Sequence, residues 1–363
     1  MAEVRVQNLN KSFGELKAVN NVSFHAKSGE FLFLLGPSGC GKTTSLRTIA
    51  GLEEQDSGKV LVGGKDVSDT PVHKRNLGFV FQNYALFPHM TVRQNIEFGL
   101  RMKKINKRYY REKVSEILSL VGLEGYEDRK PDQLSGGEKQ RIALCRTLVL
   151  DPQVLLLDEP LSNLDAKLRK RMRVELENIQ NKLGLTTIHV THDQEEALAM
   201  ADRIILMNNG SIVQEGTPPE IYEKPLNGFV ADFMGQVNCY RGKVVKVTDN
   251  KVALESEKLP RINVLQSDGK KLKEGKDVFF MVKKEGIKIN SSLNSSKEIN
   301  SVEGEVLVAS YYGSHIEFIC GFPGKSGQII LKAPVDISPV PTRGEKVNLQ
   351  WDYDNAFIIE CFA

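Results

Sequence analysis

The chain has 363 residues, 40% hydrophobic and 26% charged, which is ordinary for a soluble globular protein and long enough for two or three domains. A net charge of +3 gives no reason to expect a nucleic acid partner, and the apolar runs are far shorter than the roughly 18 residues that span a bilayer. Five scattered cysteines without a C-x-x-C pair, and a start (residues 1–11) without the apolar core of a signal peptide, favour a cytoplasmic protein with reduced thiols.

The first predicted elements are short strands at residues 4–6, 22–26 and 31–35. Residues 11–14 are expected to form a turn that presents the ring of Phe13. Two interpretations stay open for this ring. It is either a core residue or a free face on which an adenine could stack.

The stretch 36–44 has the context of a phosphate-binding loop. It follows the apolar run 31–35, precedes helical spacing over 45–52, and matches G-x-x-x-x-G-K-T in full. Backbone amides of such a loop cradle phosphate oxygens, while Lys42 reaches the β- and γ-phosphates and the Thr43 hydroxyl ligates Mg²⁺. The alternative, an ordinary glycine-rich turn, is disfavoured by the complete match. The predicted nucleotide-binding residues of this stretch are Gly36, Pro37, Ser38, Gly39, Cys40, Gly41, Lys42, Thr43 and Thr44.

A predicted strand at 77–81 ends at Gln82 and opens the loop 83–89, which is expected to expose aromatic side chains. A glutamine in this position suggests contact with metal or water on one side and with a partner surface on the other. Helical periodicity follows over 91–121, with a dense Lys/Arg run at 101–111. For that run, a solvated helix face plus loop is favoured over nucleic-acid binding.

The sequence L-S-G-G-E-K-Q-R at residues 134–141 opens another predicted helix. Ser135 and Glu138 have the spacing of a capping box, which any helix can carry. Gly136 and Gly137 indicate an anion-binding role in addition to capping, because two glycines at a helix start allow an anion to approach the backbone closely.

The run 154–157 is uniformly apolar, as expected of a central parallel strand, and Asp158 and Glu159 follow it. Beside a phosphate-binding loop, Asp158 can hold Mg²⁺ through water and Glu159 can polarise an attacking water. Alternatively, Glu159 only caps the turn before Pro160. A strand at 186–191 ends at His192, where ligands bind in open α/β sheets, whereas His189 inside it is expected to be packed or at the surface.

The predicted elements after residue 165 are helices at 166–183 and 195–201, followed by a hairpin of strands at 203–207 and 212–214. After residue 234 the sequence pattern changes. Short alternating strands with turn signals then predict an all-β region of one or two small barrels. Residues 291–301, rich in Ser and Asn, are expected to be an exposed connector.

Together these motifs, with residues 162–165, resemble the ATP-binding subunits of ABC transporters, and the C-terminal region resembles the paired OB-like extension of maltose, polyamine, ferric-ion and sulfate importer ATPases. The implied fold is an α/β P-loop NTPase followed by an all-β OB-like domain. Its expected parts are an ABC cassette at 1–235, with a helical subdomain at about 90–150, and a regulatory or dimerisation domain at 236–363.

The resemblance also implies a role for each motif. ATP and Mg²⁺ are the expected cofactors. Lys42 and the loop amides would hold phosphate, Phe13 would stack on adenine, Thr43, Gln82 and Asp158 would serve Mg²⁺, Glu159 would be the general base, His192 would contact the γ-phosphate, and Ser135, Gly136 and Gly137 would bind the nucleotide of a second subunit.

The implied assembly is a homodimer on the cytoplasmic face of the membrane of a prokaryote. It would work on two integral-membrane permease subunits, serve a solute-binding protein indirectly, and bind no nucleic acid. The loop 82–89 would face a coupling helix of the membrane subunit. Two departures from the family pattern are Glu138, where glutamine is commonest, and Lys283-Lys284-Glu285, where Arg-Pro-Glu is frequent.

Other classes of P-loop protein fit the sequence less well than an importer ATPase. A soluble ABC ATPase of the ribosome or of DNA repair usually has two cassettes or a long coiled-coil insertion, and the sequence shows neither. A P-loop kinase would leave the L-S-G-G run idle. For the solute, the joint at 233–238 resembles the polyamine, ferric-ion and sulfate type more than the sugar type, so polyamine is expected first, then ferric ion or another small ion, with a sugar importer as the alternative.

Overall fold

The computed structural model describes residues 2–235, 237–248, 251–265, 272–289 and 299–359. The chain divides into two compact units, Met1–Glu223 and Lys224–Ala363. The predicted domain boundary after residue 235 therefore lies inside the second unit. It follows a short helix that groups with that unit.

The first unit combines a mostly parallel sheet, an antiparallel sheet and seven helices among its described residues. Its strands are β1 (Val4–Phe13), β2 (Leu16–Ala26), β3 (Phe31–Leu35), β4 (Ser57–Val62), β5 (Lys65–Asp66), β6 (Leu77–Val80), β7 (Val154–Asp158), β8 (Thr186–Thr191), β9 (Arg203–Asn208) and β10 (Ser211–Gly216). Its helices are α1 (Lys42–Ala50), α2 (Val92–Met102), α3 (Tyr110–Leu120), α4 (Gly136–Leu148), α5 (Ala166–Leu183), α6 (Gln194–Met200) and α7 (Pro218–Glu223).

The larger sheet has the order β10-β9-β3-β8-β7-β6, and its central strands are buried along their whole length. This burial on both faces explains why β3 and β7, up to Asp158, are uniformly apolar. β8 is equally buried, although it contains three threonines and His189. Parallel pairing aligns Leu35 with Thr191 and Asp158 with Val190. The carboxyl ends of β3, β7 and β8 therefore meet at one edge of the sheet, and β6 ends beside them.

The smaller sheet, β2-β1-β4-β5, corrects one prediction. Residues 11–14 do not form a turn, because Lys11, Ser12 and Phe13 belong to β1 and pair with β2. The tight turn is confined to Gly14 and Glu15, between the paired residues Phe13 and Leu16.

The predicted helical stretch 91–121 is two helices. Thr91 caps α2 through a capping box with Gln94, and α3 begins only at Tyr110. Lys104 lies between them with a φ of 54°, a left-handed conformation that ends a helix. His189 is fully buried in β8 and stacks on Phe33 at 4.4 Å between ring centroids, so it is a packed residue, as expected.

The second unit is built almost entirely of strands, which confirms the predicted all-β region. Its elements are α8 (Gly228–Phe233), β11 (Val237–Val247), β12 (Lys251–Glu255), β13 (Ile262–Leu265), β14 (Asp277–Lys283), β15 (Lys288–Ile289), β16 (Ile299–Tyr311), β17 (Ile316–Gly321), β18 (Gln328–Ala333), β19 (Lys346–Asp352) and β20 (Ala356–Ile359). They form two five-stranded antiparallel sheets, β13-β12-β11-β14-β20 and β15-β19-β16-β17-β18.

Both sheets of the second unit share one core, in which Phe280, Phe318 and Trp351 are the largest buried side chains. The predicted connector at 291–301 cannot be compared over its whole length. Residues 291–298 lie outside the described residues, and Ile299 already begins β16. Among the described helices of both units, none has the length and apolar character needed to cross a membrane.

Candidate nucleotide site

The loop between β3 and α1 is shaped by glycines that have no room for a side chain. A Cβ on Gly36 would lie 2.3 Å from the Met207 carbonyl oxygen, and one on Gly41 would lie 2.2 Å from that of Ala18. Gly41 also has a φ of 99° and directly precedes α1. The loop is therefore pressed against backbone on both sides, with the helix N-terminus at its end.

Lys42, the first residue of α1, folds back over this loop. Its Nζ donates to the carbonyl oxygens of Gly36 and Pro37, each at 2.8 Å, and the residue is only 4% exposed. A buried ammonium is costly unless it is bonded, so these carbonyls hold the charge in place. An anion at the loop would meet a cation already oriented at the helix N-terminus.

Thr43 and Asp158 join α1 to the end of β7. The Thr43 hydroxyl donates to Oδ1 of Asp158 at 2.9 Å, and Arg47 lies 3.7 Å from Oδ2. Burial raises the pKa of the Asp158 carboxyl above its usual range, and the bond from Thr43 and the charge of Arg47 only partly oppose this shift.

The shift has a defined consequence for stability. Since the fold favours protonated Asp158, its carboxylate lowers stability at pH values above the folded-state pKa. This cost disappears below the unfolded-state pKa of about 3.9. A carboxylate kept in place at such a cost is typical of a functional position.

Gln82, Glu159 and His192 meet at the same edge of the sheet, although each follows a different strand. Oε2 of Glu159 lies 3.1 Å from Nδ1 of His192 and accepts a hydrogen bond from Nε2 of Gln82 at 3.4 Å. The Glu159 side chain is 17% exposed, whereas that of His192 is 52% exposed. Glu159 thus points towards these two side chains, which disfavours the alternative that it merely caps the next turn.

The backbone around Glu159 is held in an uncommon conformation. Glu159 has a φ of 45°, a left-handed value that is rare outside glycine. Its amide donates to Val190 at 3.0 Å, and its carbonyl accepts from the Ser162 hydroxyl at 2.9 Å. Non-glycine residues in such conformations occur often at functional sites, where the surrounding structure enforces them.

Sequence reasoning missed the side chains that tie this edge together. Asn163 donates to the Gln82 carbonyl at 2.8 Å. Arg169, on α5, donates to the Leu164 carbonyl at 3.0 Å and to Asp193 at 3.3 Å, next to His192. Arg169 therefore links the loop after Glu159 to the loop that carries His192. Only its position one turn inside a predicted helix could have drawn attention to it.

The start of α4 shows the capping box that the sequence allowed. The Ser135 amide and hydroxyl donate to Oε2 of Glu138 at 2.7 and 2.8 Å, which lowers the pKa of Glu138. A Cβ on Gly136 or Gly137 would lie 3.1 Å from Leu164 or Leu168 respectively, so close packing also accounts for these glycines. Their contact with an anion stays a prediction.

Phe13 is 49% exposed, and the Nζ of Lys11 lies 5.1 Å from its ring centroid. Of the two interpretations left open by the sequence, the structure excludes a core residue. Phe13 pairs with Leu16 of β2, and the same strand carries the Ala18 carbonyl against Gly41 of the phosphate-binding loop.

The prediction that the loop 83–89 exposes its aromatic side chains is wrong for Tyr84, which is buried at 8% exposure. Arg146 on α4 donates to the Tyr84 carbonyl and lies over the ring of Phe87, which is half-buried. Beside the loop is an apolar groove of about 510 Å³ whose lining includes Phe81, Phe87, Phe98, Met102 and Leu150.

The oxygen donors at this edge suit a magnesium ion. Thr43 and Asp158 supply one hydroxyl and one carboxylate, and Mg²⁺ typically takes one or two carboxylates together with waters and substrate phosphates. Within the described part of the chain, no cluster of three or more His, Cys, Asp or Glu side chains could hold a metal by itself. A metal here would fit as a partner of bound phosphate.

Comparison with known proteins agrees with this architecture. A family model described as ABC transporter matches residues 19–162, and one described as TOBE domain matches residues 280–359. The spermidine/putrescine import ATP-binding protein PotA of Thermotoga maritima is 42% identical over 363 residues, which cover 99% of this chain and 98% of that protein. The Fe(3+) ions import ATP-binding protein FbpC of Rhizobium etli is 46% identical over 319 residues, or 87% and 86% of the two chains.

A solved structure adds a match to the first part of the chain. The dimeric ATP-binding cassette MJ0796, in a post-hydrolysis state bound to ADP and Pi, has a TM-score of 0.54 and 33% identity. The match covers 59% of this chain and 98% of the cassette. The predicted fold, an ABC ATPase cassette followed by a β-rich OB-like domain, is thereby confirmed, as are nucleotide binding and ATPase function. This chain belongs to the family of ATP-binding subunits of ABC importers.

Proposed function

We propose that this importer ATPase hydrolyses ATP at the carboxyl edge of its central sheet, with Glu159 as the general base. The observation that carries the proposal is the convergence of Gln82, Glu159 and His192 beside the Thr43–Asp158 pair. Glu159 is ionisable, partly shielded, and held by neighbours that orient its carboxylate. It is therefore equipped to accept a proton from a water that attacks the γ-phosphate.

The remaining roles follow from the donors available. The loop amides and Lys42 would hold the phosphates. Two N–H groups of the Lys42 ammonium bond carbonyl oxygens, and the third, whose partner Cys40 Sγ is a weak acceptor at 3.7 Å, could turn to a phosphate oxygen. Thr43 and Asp158 would hold Mg²⁺, with Gln82 near it, and the chemistry of the bound ion is to neutralise charge on phosphate oxygens. The exposed nitrogen side of His192 would contact the γ-phosphate, and Phe13 would stack on adenine.

The site requires a second copy to be complete. Lys42 and the loop amides approach the phosphates from one side, whereas the amides at Ser135, Gly136 and Gly137 open a different helix. We infer that this helix start faces the nucleotide of a partner chain. The dimeric state of the similar solved cassette supports this arrangement.

The membrane partner would dock in the apolar groove beside residues 82–89. Its lining is mainly aromatic and aliphatic, with a few polar and basic side chains such as Lys103 and Arg146, as expected of a surface that receives a helix of another protein. Arg146 on α4 bonds to the Tyr84 carbonyl of this loop, and Asn163 bonds to the Gln82 carbonyl at its start. A movement of the docked partner would therefore be transmitted to the nucleotide site. The chain would act at the cytoplasmic face of the membrane, bound to two permease subunits.

For the solute, we favour a polyamine, with ferric ion second. The relatives named for spermidine and putrescine include one aligned over 99% of this chain, whereas the ferric-ion relative is aligned over 87%. The test is uptake by proteoliposomes that contain this chain, its co-expressed membrane subunits and the cognate binding protein. ATP-dependent uptake of labelled spermidine or putrescine is expected; uptake of maltose alone, or co-purification with ribosomes or DNA instead of a membrane protein, would contradict the proposal.

A further inference from the structure

The segment 101–111, which spans the end of α2, the turn after it and the start of α3, concentrates positive charge on the first unit. We call it the basic turn. Its sequence contains six basic side chains and no acidic one, and the basic residues are Arg101, Lys103, Lys104, Lys107, Arg108 and Arg111. The other 352 residues carry 43 basic against 46 acidic side chains, a net charge of −3. Without this segment the net charge of the chain would therefore be negative.

Apolar side chains are exposed among these charges. Residues 101–109 are all exposed, and they include Met102 at 66%, Ile105 at 36% and Tyr109 at 39% exposure. This exposure agrees with a solvated helix face plus loop, the interpretation favoured from the sequence, but that interpretation gives no reason for a methionine, an isoleucine and a tyrosine presented together. Alternation of cations with apolar and aromatic side chains is typical of a surface that lies in the headgroup region of a bilayer.

The contacts of the basic turn leave most of its charge free for a partner. Lys103 donates to Asn76 at 2.9 Å and to the Leu150 carbonyl at 3.1 Å, which fixes the base of the turn to the rest of the unit. Among the described residues, no carboxylate lies within 4.0 Å of the amino groups of Lys104 and Lys107 or of the guanidinium of Arg111. These three cations are unpaired on a surface whose position is fixed.

We propose that the basic turn binds anionic phospholipid headgroups beside the membrane subunit. Met102 and Lys103 belong both to this turn and to the lining of the apolar groove, so the two surfaces are continuous. The proposal rests on the proposed function in one respect: a permease docked in the groove would bring the basic turn next to the bilayer. Charge of opposite sign and apolar side chains that enter the interface supply the attraction.

The test measures binding to protein-free vesicles, so it does not depend on the permease. The full chain is sedimented with vesicles of phosphatidylcholine alone, or with about one third phosphatidylglycerol, at low and high salt. The variant carries Lys104→Gln, Lys107→Gln and Arg111→Gln. The control carries Lys27→Gln, Lys65→Gln and Lys182→Gln, which remove three exposed positive charges elsewhere on the same unit.

We expect the wild type and the control to bind the anionic vesicles at low salt and to dissociate at high salt. The variant should bind at least tenfold more weakly, since each basic residue near an anionic surface adds about a fivefold factor and three are removed. Its ATPase activity in solution should match that of the wild type. Met102→Ser with Ile105→Ser should weaken binding without changing its salt dependence.

Three results would overturn the proposal. One is equal binding of the wild type to neutral and anionic vesicles, and another is equal binding of variant and control. The third is tighter binding of the basic turn to duplex DNA or RNA than to anionic vesicles at the same salt, which would assign it to nucleic acid. Failure of solute uptake with intact vesicle binding would count against the proposed function alone.

Discussion

Replacing Glu159 by glutamine separates nucleotide binding from hydrolysis. The Glu159 carboxylate is 17% exposed and lies between Gln82 and His192. Glutamine has the same length and can keep one acceptor oxygen towards these neighbours, but it cannot take a proton. A positioned base contributes about 10²–10⁴ in rate, or roughly 3–5 kcal/mol of activation free energy. We therefore expect Glu159→Gln to lose that factor in kcat while its Kd for Mg-ATP changes less than about threefold.

The assay pairs single-turnover phosphate release with equilibrium binding of a fluorescent ATP analogue. Glu116→Gln is the matched control, because it makes the same change of side chain at an exposed position on α3 and leaves the Glu159 carboxylate in place. That variant should keep most of its activity. Near-wild-type turnover of Glu159→Gln would refute the assignment of the base, and a parallel loss of binding and turnover would show that Glu159 acts only in the fold.

Three further substitutions probe the rest of the site. Asp158→Asn should remove most Mg²⁺-dependent hydrolysis. It should also raise the melting temperature of the nucleotide-free chain at neutral pH, because it removes a buried carboxylate whose pKa is raised by burial. This gain should vanish below about pH 4, where Asp158 is protonated in the folded and the unfolded chain. Gly41→Ala should weaken ATP binding by roughly 100-fold or more because its Cβ would meet the Ala18 carbonyl, whereas Gly64→Ala, which has open space at a similar φ, should not; equilibrium dialysis with ATP distinguishes them. Arg169→Met should lower kcat about tenfold with little change in KM, since it loosens two loops around Glu159, while Arg171→Met on the exposed side of the same helix should be neutral in steady-state kinetics.

The parts of the fold that the sequence predicted are those with a strong local signal. Uniform apolarity marks β3 and β7, up to Asp158, because they are buried on both faces. The phosphate-binding loop is recognisable because a glycine at position 41 is the residue that fits beside the Ala18 carbonyl. Asp158 and His192 could be placed at one edge because parallel strands end together.

The features that sequence reasoning missed depend on contacts between distant residues. Tyr84 is buried, and Arg146, 62 positions away, bonds to its carbonyl, a tertiary arrangement that no local pattern indicates. Arg169 has the appearance of any basic residue on a charged helix until its bonds to Leu164 and Asp193 are known. Phe13 was misplaced in a turn because β1 continues through polar residues that lack an alternating pattern.

In the proposed mechanism, two copies of this chain close around ATP, each completing the other's site. Cross-linking between the two copies is the decisive test of this arrangement. In a Glu159→Gln background without native cysteines, a chain with Ser38→Cys is mixed with one carrying Ser135→Cys and treated with a short bismaleimide. Both serines lie at exposed positions, in the phosphate-binding loop and at the start of α4.

We expect a covalent species of twice the 40.6 kDa chain mass. It should form in Mg-ATP, and it should be absent without nucleotide and when either variant is treated alone. The contradicting result is a mixture that binds Mg-ATP fully yet yields no such cross-link, together with wild-type hydrolysis at the full rate by a chain shown to be monomeric.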